Sequence, residues 1–423
     1  MTSIRQSPRL NAPTLHQMPG GLTIIAEQMP VEAVNLSLWV KVGSAVESDA
    51  INGMAHFLEH MVFKGTERLS SGEFERQIEE RGAVTNAATS QDYTHYYITS
   101  APKDFAALSP LQIDVVLNSL IPDEAFERER LVVLEEIRRS EDNPRRRTFQ
   151  RAMQTAFEYL PYRRPVLGPE DVIAQLKPQQ MRDFHHNWYQ PSNITAVAVG
   201  NLPVEELIEI VADKFVLPVR SQVETVELPK PELPFAEVVR QEFVDESLQQ
   251  ARLVMVWRVP GLIQMNQTYA LDVLAAILGQ GRTSRLVRDL REERSLVSSI
   301  SASNMTQKLQ GTFYISAALP VENLAVVESA IAQHLHTLQT ELVKEAELAR
   351  IRTQVANRFI FGNETPSDRA NLYGYYQSML GDLQPAFDYP ASIRALEKSD
   401  LLCAAQQHLS PDAYGVIILK PAA

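Results

Sequence analysis

His56, Glu59 and His60 lie within five residues, His56-Phe57-Leu58-Glu59-His60, and their types and spacing describe a metal site that carries its own base. Positions i and i+4 of an α-helix project from one face, so the two imidazoles can converge on one ion. Glu59, three residues after His56, borders the same face. A pair of imidazoles suits zinc, and a carboxylate next to a zinc-activated water can take its proton and later hand it to a leaving amine. Such spacings also arise by chance on amphipathic helices, so the pattern calls for a third ligand.

The run from Phe126 to Ile137 offers one on a second helix. Glu129 and Glu136 are seven residues apart, two helical turns, and share a face. Either could ligate the metal while the other supports an imidazole or the ligand itself. Glu127 and Glu135 read instead as part of a solvated acidic face with arginine partners.

The His-x-x-Glu-His order is the inverzincin pattern, and at these residues the chain resembles the M16 peptidase family, the group of mitochondrial processing peptidase, pitrilysin and insulin-degrading enzyme. The family's third ligand is a glutamate 76 residues after the second histidine, which falls here on Glu136 (136 − 60). The resemblance therefore implies one Zn²⁺ per chain held by His56, His60 and Glu136, with Glu59 as the base and Glu129 as a supporting glutamate. Further matching stretches are Gly65-Thr66, Asn86-Ala87-Ala88-Thr89-Ser90, Pro161-Tyr162 with Gly168, and Trp188 to Asn193. They span nearly the whole chain, and its length matches the short, two-domain branch. What the resemblance implies is a zinc endopeptidase that cleaves peptides or unfolded segments in a closed chamber. Asn86, Ala87, Ala88 and Thr89 would lie on an edge strand beside the zinc, where a peptide can add as an extra strand.

One departure bears on partners. The stretch around Arg291 is similar to the family segment in which an arginine and, seven residues later, a tyrosine bind substrate across the chamber. Arg291 fits, but the tyrosine position is Ser298, whose hydroxyl has a much shorter reach. Complete zinc residues with a broken pair resemble the zinc-bearing subunit of a heterodimer whose related partner, lacking the zinc motif, supplies the pair. A self-sufficient homodimer and a non-catalytic structural subunit are the alternatives.

The elements that must position these residues are legible as strands and helices. Leu22 to Ala26 and the alternating Asn35 to Val42 read as strands, the latter half-buried. Asn52-Gly53 turns into the motif helix. Thr94 to Thr99 is a further strand that places Tyr96 and Tyr97 on opposite faces, and helices occupy much of 103–186 before a strand at Ile194 to Val199. His95, on that strand, reads as a packing residue rather than a ligand. Pro218, Pro229, Pro231 and Pro234 mark an extended, exposed linker. The second half repeats the plan: Phe313 to Ala318 followed by helices to Phe361 parallels Tyr96 to Ala101, and Tyr414 to Leu419 parallels the strand ending at Gly200.

Strands interspersed with long helices predict an α+β fold: a zinc-bearing domain over 1–216, a linker over 217–234 and a similar domain without the motif over 235–423. In the family, two such domains form half of a clamshell chamber. A chain of 423 residues is long enough for two cores. Forty basic against fifty-two acidic residues, net −12, argue against a nucleic-acid binder. Its one cysteine, Cys403, excludes an internal disulfide and reads as a small buried residue of a C-terminal helix. No stretch has the ~20 continuous apolar residues of a membrane span, and Met1 to Pro8 lacks an apolar signal core, so a cytoplasmic protein is expected.

Overall fold

The structure is a computed structural model that describes residues 13–215 and 229–422. Packing divides it into two units, one comprising 13–135, 166–215 and 362–387, the other 136–165, 229–361 and 388–422.

The first unit is built on a six-stranded sheet of β1 (Thr14–Gln17), β2 (Thr23–Gln28), β3 (Val34–Val40), β4 (Val84–Thr89), β5 (Thr94–Ser100) and β6 (Ile194–Gly200). Its spatial order is β1-β2-β6-β3-β5-β4; β2 and β6 run parallel and the remaining pairs antiparallel. The expected half-buried strand at 35–42 is instead a central strand, β3, buried at every position. Helices Pro102–Leu117 and Pro366–Leu380 pack against it. Of its buried polar residues, Asn35 donates through its side-chain amide to Thr99 Oγ1 at 2.9 Å. β5 alternates as read, with Tyr96 buried and Tyr97 partly exposed.

The second unit carries β7 (Val239–Val244), β8 (Ala251–Pro260), β9 (Ser299–Met305), β10 (Gln310–Leu319) and β11 (Gly415–Lys420) in the order β7-β11-β8-β10-β9. Its core joins Met255 and Trp257 of β8 and Phe313 and Ile315 of β10 to Leu271, Leu274 and Leu278 of helix Tyr269–Gly279. Each such side chain contributes about 1.5–3 kcal/mol on burial. The fold is α+β, as the pattern of elements predicts.

Three expectations are corrected. A single cut at 217–234 does not describe the packing, because helix Pro144–Ala156 lies on β8 and β11 of the second sheet while helix Pro366–Leu380 lies on β3 and β6 of the first. Each half of the sequence lends one covering helix to the other's sheet, which strand and helix order alone does not reveal. Second, the proline-rich stretch is not uniformly an exposed linker. Residues 216–228 lie outside the described residues, but Glu232 is only 5% exposed. Its carboxylate accepts the N–H groups of Glu158, Tyr159 and Leu160 at 2.9–3.0 Å and pairs with Arg258 at 3.0 Å. Four donors offset the burial of one carboxylate. Third, Cys403 sits on helix Lys398–His408 as expected, but it is an exposed free thiol. Among the described residues no helix is long and apolar enough to cross a membrane.

Candidate metal centre

The motif forms helix Met54–Met61, which Gly53 starts with φ +95°. A side chain at Gly53 would meet Leu167 O at 2.6 Å and Gly168 Cα at 2.8 Å, so two glycines let the start of this helix rest on the 167–168 backbone. The helix N-terminus is held by Glu47, buried at 3% exposure. Its carboxylate accepts Asn52 Nδ2 at 2.9 Å, Gly53 N–H at 2.8 Å and Ala55 N–H at 2.7 Å. A negative group here also complements the helix dipole. Phe57, next to His56, stacks on Phe126 with centroids 4.5 Å apart, tying this helix to helix Asp123–Asp142. The longer helix is fastened in turn by Arg130, which donates to Ala174 O and to Leu176 O at 2.7 Å.

This packing brings His56, His60 and Glu136 together, with one potential ligand atom from each lying within 4.8 Å of the others. His56 is buried, while His60 and Glu136 are partly exposed, so the group is reachable from solvent. The rings of His56 and His60 meet edge to face, centroids 4.9 Å apart. Two neutral imidazoles and a carboxylate are a borderline-soft, three-ligand set that leaves a position open, which is how catalytic zinc is held.

Glu129 lies against His60 and Lys64. Its carboxylate accepts from His60 Nδ1 at 3.0 Å and pairs with Lys64 Nζ at 2.7 Å. Burial pushes its carboxyl up, but the hydrogen bonds of His60 and Lys64 outweigh this and hold it below the usual glutamate range. An ionised carboxylate only accepts, so in this bond Nδ1 of His60 carries the proton. Lys64, four residues after His60, was not singled out in the sequence; its spacing from the second histidine is the signal that could have found it.

Glu59 lies beside the group, partly exposed, and accepts from Thr89 Oγ1 at 2.5 Å. Its negative charge is among the influences that raise the buried hydroxyls of Tyr96 and Tyr189, after desolvation, and those two hydroxyls are 2.7 Å apart. Thr89 ends β4, which among the described residues pairs only with β5 and is therefore the sheet edge. Asn86 and Ala88 are exposed along it, Ala87 and Thr89 partly buried. His95 is not part of the metal group; it packs among Trp39, Tyr93 and Tyr97, and desolvation lowers its pKa to about 4.

Arg291 lies in the second unit on the turn Val287–Glu293, where Glu292 Oε1 engages its guanidinium at 2.5 Å. Ser298 Oγ lies 2.8 Å from Gln250 Oε1 and 3.0 Å from Ala318 O, so its proton is committed locally.

A two-unit α+β chain with this histidine and glutamate set has the form of a two-domain metallopeptidase. Residues 22–170 match the family described as Insulinase (Peptidase family M16), and residues 175–355 match the Peptidase M16 inactive domain. The chain belongs to the M16 peptidase family. It is 27% identical over 411 residues to the zinc protease PqqE of Helicobacter pylori, covering 96% of this chain and 92% of that protein. It is 28% identical over 413 residues to an uncharacterized zinc protease of Mycobacterium tuberculosis, covering 97% and 93%. Among solved structures, a protease from Helicobacter pylori superposes with a TM-score of 0.90 at 26% identity, covering 97% of this chain and 99% of that one.

Proposed function

We propose that the chain is a zinc-dependent endopeptidase subunit in which His56, His60 and Glu136 hold the metal and Glu59 is the general base. The observation that carries this reading is the convergence of the three ligand atoms within 4.8 Å, with Glu59 on the same helix one residue before His60. Zinc there would supply a Lewis acid that makes water acidic near neutral pH and polarises a carbonyl. Glu59 accepts the proton of the attacking water and returns it to the departing amine nitrogen. Thr89 donates to one oxygen of the Glu59 carboxylate and so helps to hold it. Glu129 fixes the tautomer of His60 and Lys64 balances its charge.

The free edge of β4 is the proposed substrate strand. An extended peptide pairing with Asn86 to Thr89 would be held by its main chain, so many sequences would fit. Arg291 is proposed to contact substrate, and a related M16 subunit without the zinc motif to supply the complete Arg/Tyr pair. Local use of the Ser298 hydroxyl favours this heterodimer over the homodimer.

The test is Glu59→Gln, measured for metal content and for cleavage of a mixed peptide pool, alone and with a related subunit. Retained zinc with activity reduced about 10²–10⁴-fold is expected from loss of a general base. Near-normal cleavage by the variant removes Glu59 from that role. Full wild-type activity without a partner subunit removes the heterodimer.

A further inference from the structure

The second sheet repeats the first, with β7, β11, β8, β10 and β9 in the places of β2, β6, β3, β5 and β4. The parallel pair β2 and β6 is matched by the parallel pair β7 and β11. Helix Tyr269–Gly279 follows β8 and packs on the edge strand β9, as the motif helix follows β3 and packs on β4. Helix Glu345–Phe361 is the second helix after β10, as Asp123–Asp142 is the second after β5. The helices and strand that gather the metal ligands therefore have counterparts around the second sheet, and those counterparts line a cavity of about 330 Å³.

Its chemistry differs from that of a metal site. Asp272 and Ala275 repeat the i, i+3 spacing of His56 and Glu59. Asp272 accepts from Asn304 Nδ2 and Tyr389 OH, both at 2.8 Å. Asn304 Oδ1 is buried without a hydrogen-bond partner among the described residues, an acceptor waiting for a donor. Arg358, exposed on helix Glu345–Phe361, brings a guanidinium to the same cavity and donates to Gln280 Oε1 at 2.5 Å. Val355 and the Phe359 ring, stacked on Tyr389 at 4.8 Å, make the wall apolar.

One carboxylate without an imidazole, with a guanidinium on the same wall, is a poor cation cage. A simple anion would meet Asp272. What satisfies both charges is a small molecule with an ammonium at one end, a carboxylate at the other and hydrocarbon attached. We infer that this cavity binds a free α-amino acid or dipeptide, with its ammonium group at Asp272, its carboxylate at Arg358 and its side chain against Val355 and Phe359. An ammonium ligand also relieves Asp272, whose carboxyl desolvation pushes up to about 6 despite the bonds of Asn304 and Tyr389. Arg358 offers the planar fork that carboxylates favour. Ligands of this class have both ends that complete hydrolysis of a peptide releases, so the second unit would respond to product without taking part in cleavage.

The test is calorimetric titration of the full chain carrying Glu59→Gln, which prevents hydrolysis from imitating binding. The probes are L-leucine, leucyl-glycine, N-acetyl-leucine and leucine amide. Saturable binding of leucine or the dipeptide is expected, at least tenfold weaker once either end is blocked. Asp272→Asn should weaken leucine at least tenfold, and Arg358→Gln should abolish the preference for leucine over its amide. Arg358 is exposed, so that variant reads the site even where Asp272→Asn fails to fold. No heat at millimolar leucine and dipeptide, or binding indifferent to acetylation, overturns the inference. So does binding unchanged in Arg358→Gln. None of these readouts uses peptidase activity or metal content, so failure here leaves the metal site's assignment standing on its own test.

Discussion

Beside the first sheet, the helix after the third strand presents two imidazoles and a carboxylate, and Glu136 of helix Asp123–Asp142 joins them. In the second unit the corresponding helix presents Asp272 and alanines, and the corresponding later helix carries Arg358. The strand plan beneath is the same. What persists between the units is pairing order and aliphatic burial, which the fold needs; what differs is a handful of polar side chains on the helices. The same architecture thus holds a candidate hydrolytic centre in one place and a pocket of opposite charge character in the other, and the chemistry has to be argued from each site rather than from the fold.

The largest effect should come from removing a ligand. His60→Ala or Glu136→Ala should strip the metal, measured as zinc retained after dialysis, and peptide cleavage should fall with it. Arg358→Ala in the second unit should leave zinc content unchanged. Loss of zinc in the arginine variant would break the comparison, because it would make the second pocket part of the metal site. Glu129→Gln should act on the metal through His60, and it also removes the ion pair with Lys64. It keeps all three ligands and weakens zinc about 10–100-fold, read by competition with a chromophoric chelator, as expected when a ligand's carboxylate partner is lost.

How much of this was legible in the sequence follows from which features are periodic. The motif helix, the long helix carrying Glu129 and Glu136, and the strands around Asn35 to Val40 and Thr94 to Thr99 were readable from short repeats of two or about 3.6 residues, whereas the edge strand β4 rested on resemblance and β3 proved buried at every position. The convergence of Glu136 on His56 and His60 was not in any periodicity; it rested on resemblance, and packing of Phe57 on Phe126 brings it about. The exchange of covering helices between the units escaped, since nothing in the sequences of Pro144–Ala156 and Pro366–Leu380 marks which sheet they cover, and that choice is made by tertiary contact. Glu232 and Glu47 escaped for a related reason. A glutamate in an irregular segment carries no sign that three backbone or amide donors will close on it.

A smaller effect should separate the units by pH. Asp272 has a folded-state pKa raised to about 6 from 3.8, chiefly by desolvation. A raised carboxyl contributes stability that is present below pH 3.8 and is lost as pH rises through about 6, since the folded chain holds its proton longer than the unfolded one. The loss amounts to at most about 3 kcal/mol. Asp272→Asn should therefore raise the melting temperature at pH 8 relative to wild type and leave it nearly unchanged at pH 4. An equal shift at both pH values would mean that the carboxylate is stabilised by its donors rather than penalised by burial.

The smallest effect should fall on Glu47, and it bears on why the two corresponding helices need different support. Helix Tyr269–Gly279 is buried along nearly its whole length and has no side-chain hydrogen bond at its N-cap; apolar packing suffices to hold it. Helix Met54–Met61 has eight residues and must leave His60 and Glu59 partly exposed, so it has less apolar surface to fix its direction. Glu47 compensates by accepting two backbone N–H groups and the Asn52 amide at the helix start. Glu47→Gln keeps the shape but turns one acceptor into a donor facing N–H groups, which should cost about 1–2 kcal/mol and lower the melting temperature by several degrees. If Glu47 positions His56 through the helix, zinc affinity should fall too, by less than in Glu129→Gln, and Glu47→Asp should recover neither because its shorter arm cannot span Gly53 and Ala55 together. A destabilised variant with wild-type zinc affinity would show that the cap holds the fold without aiming the ligand.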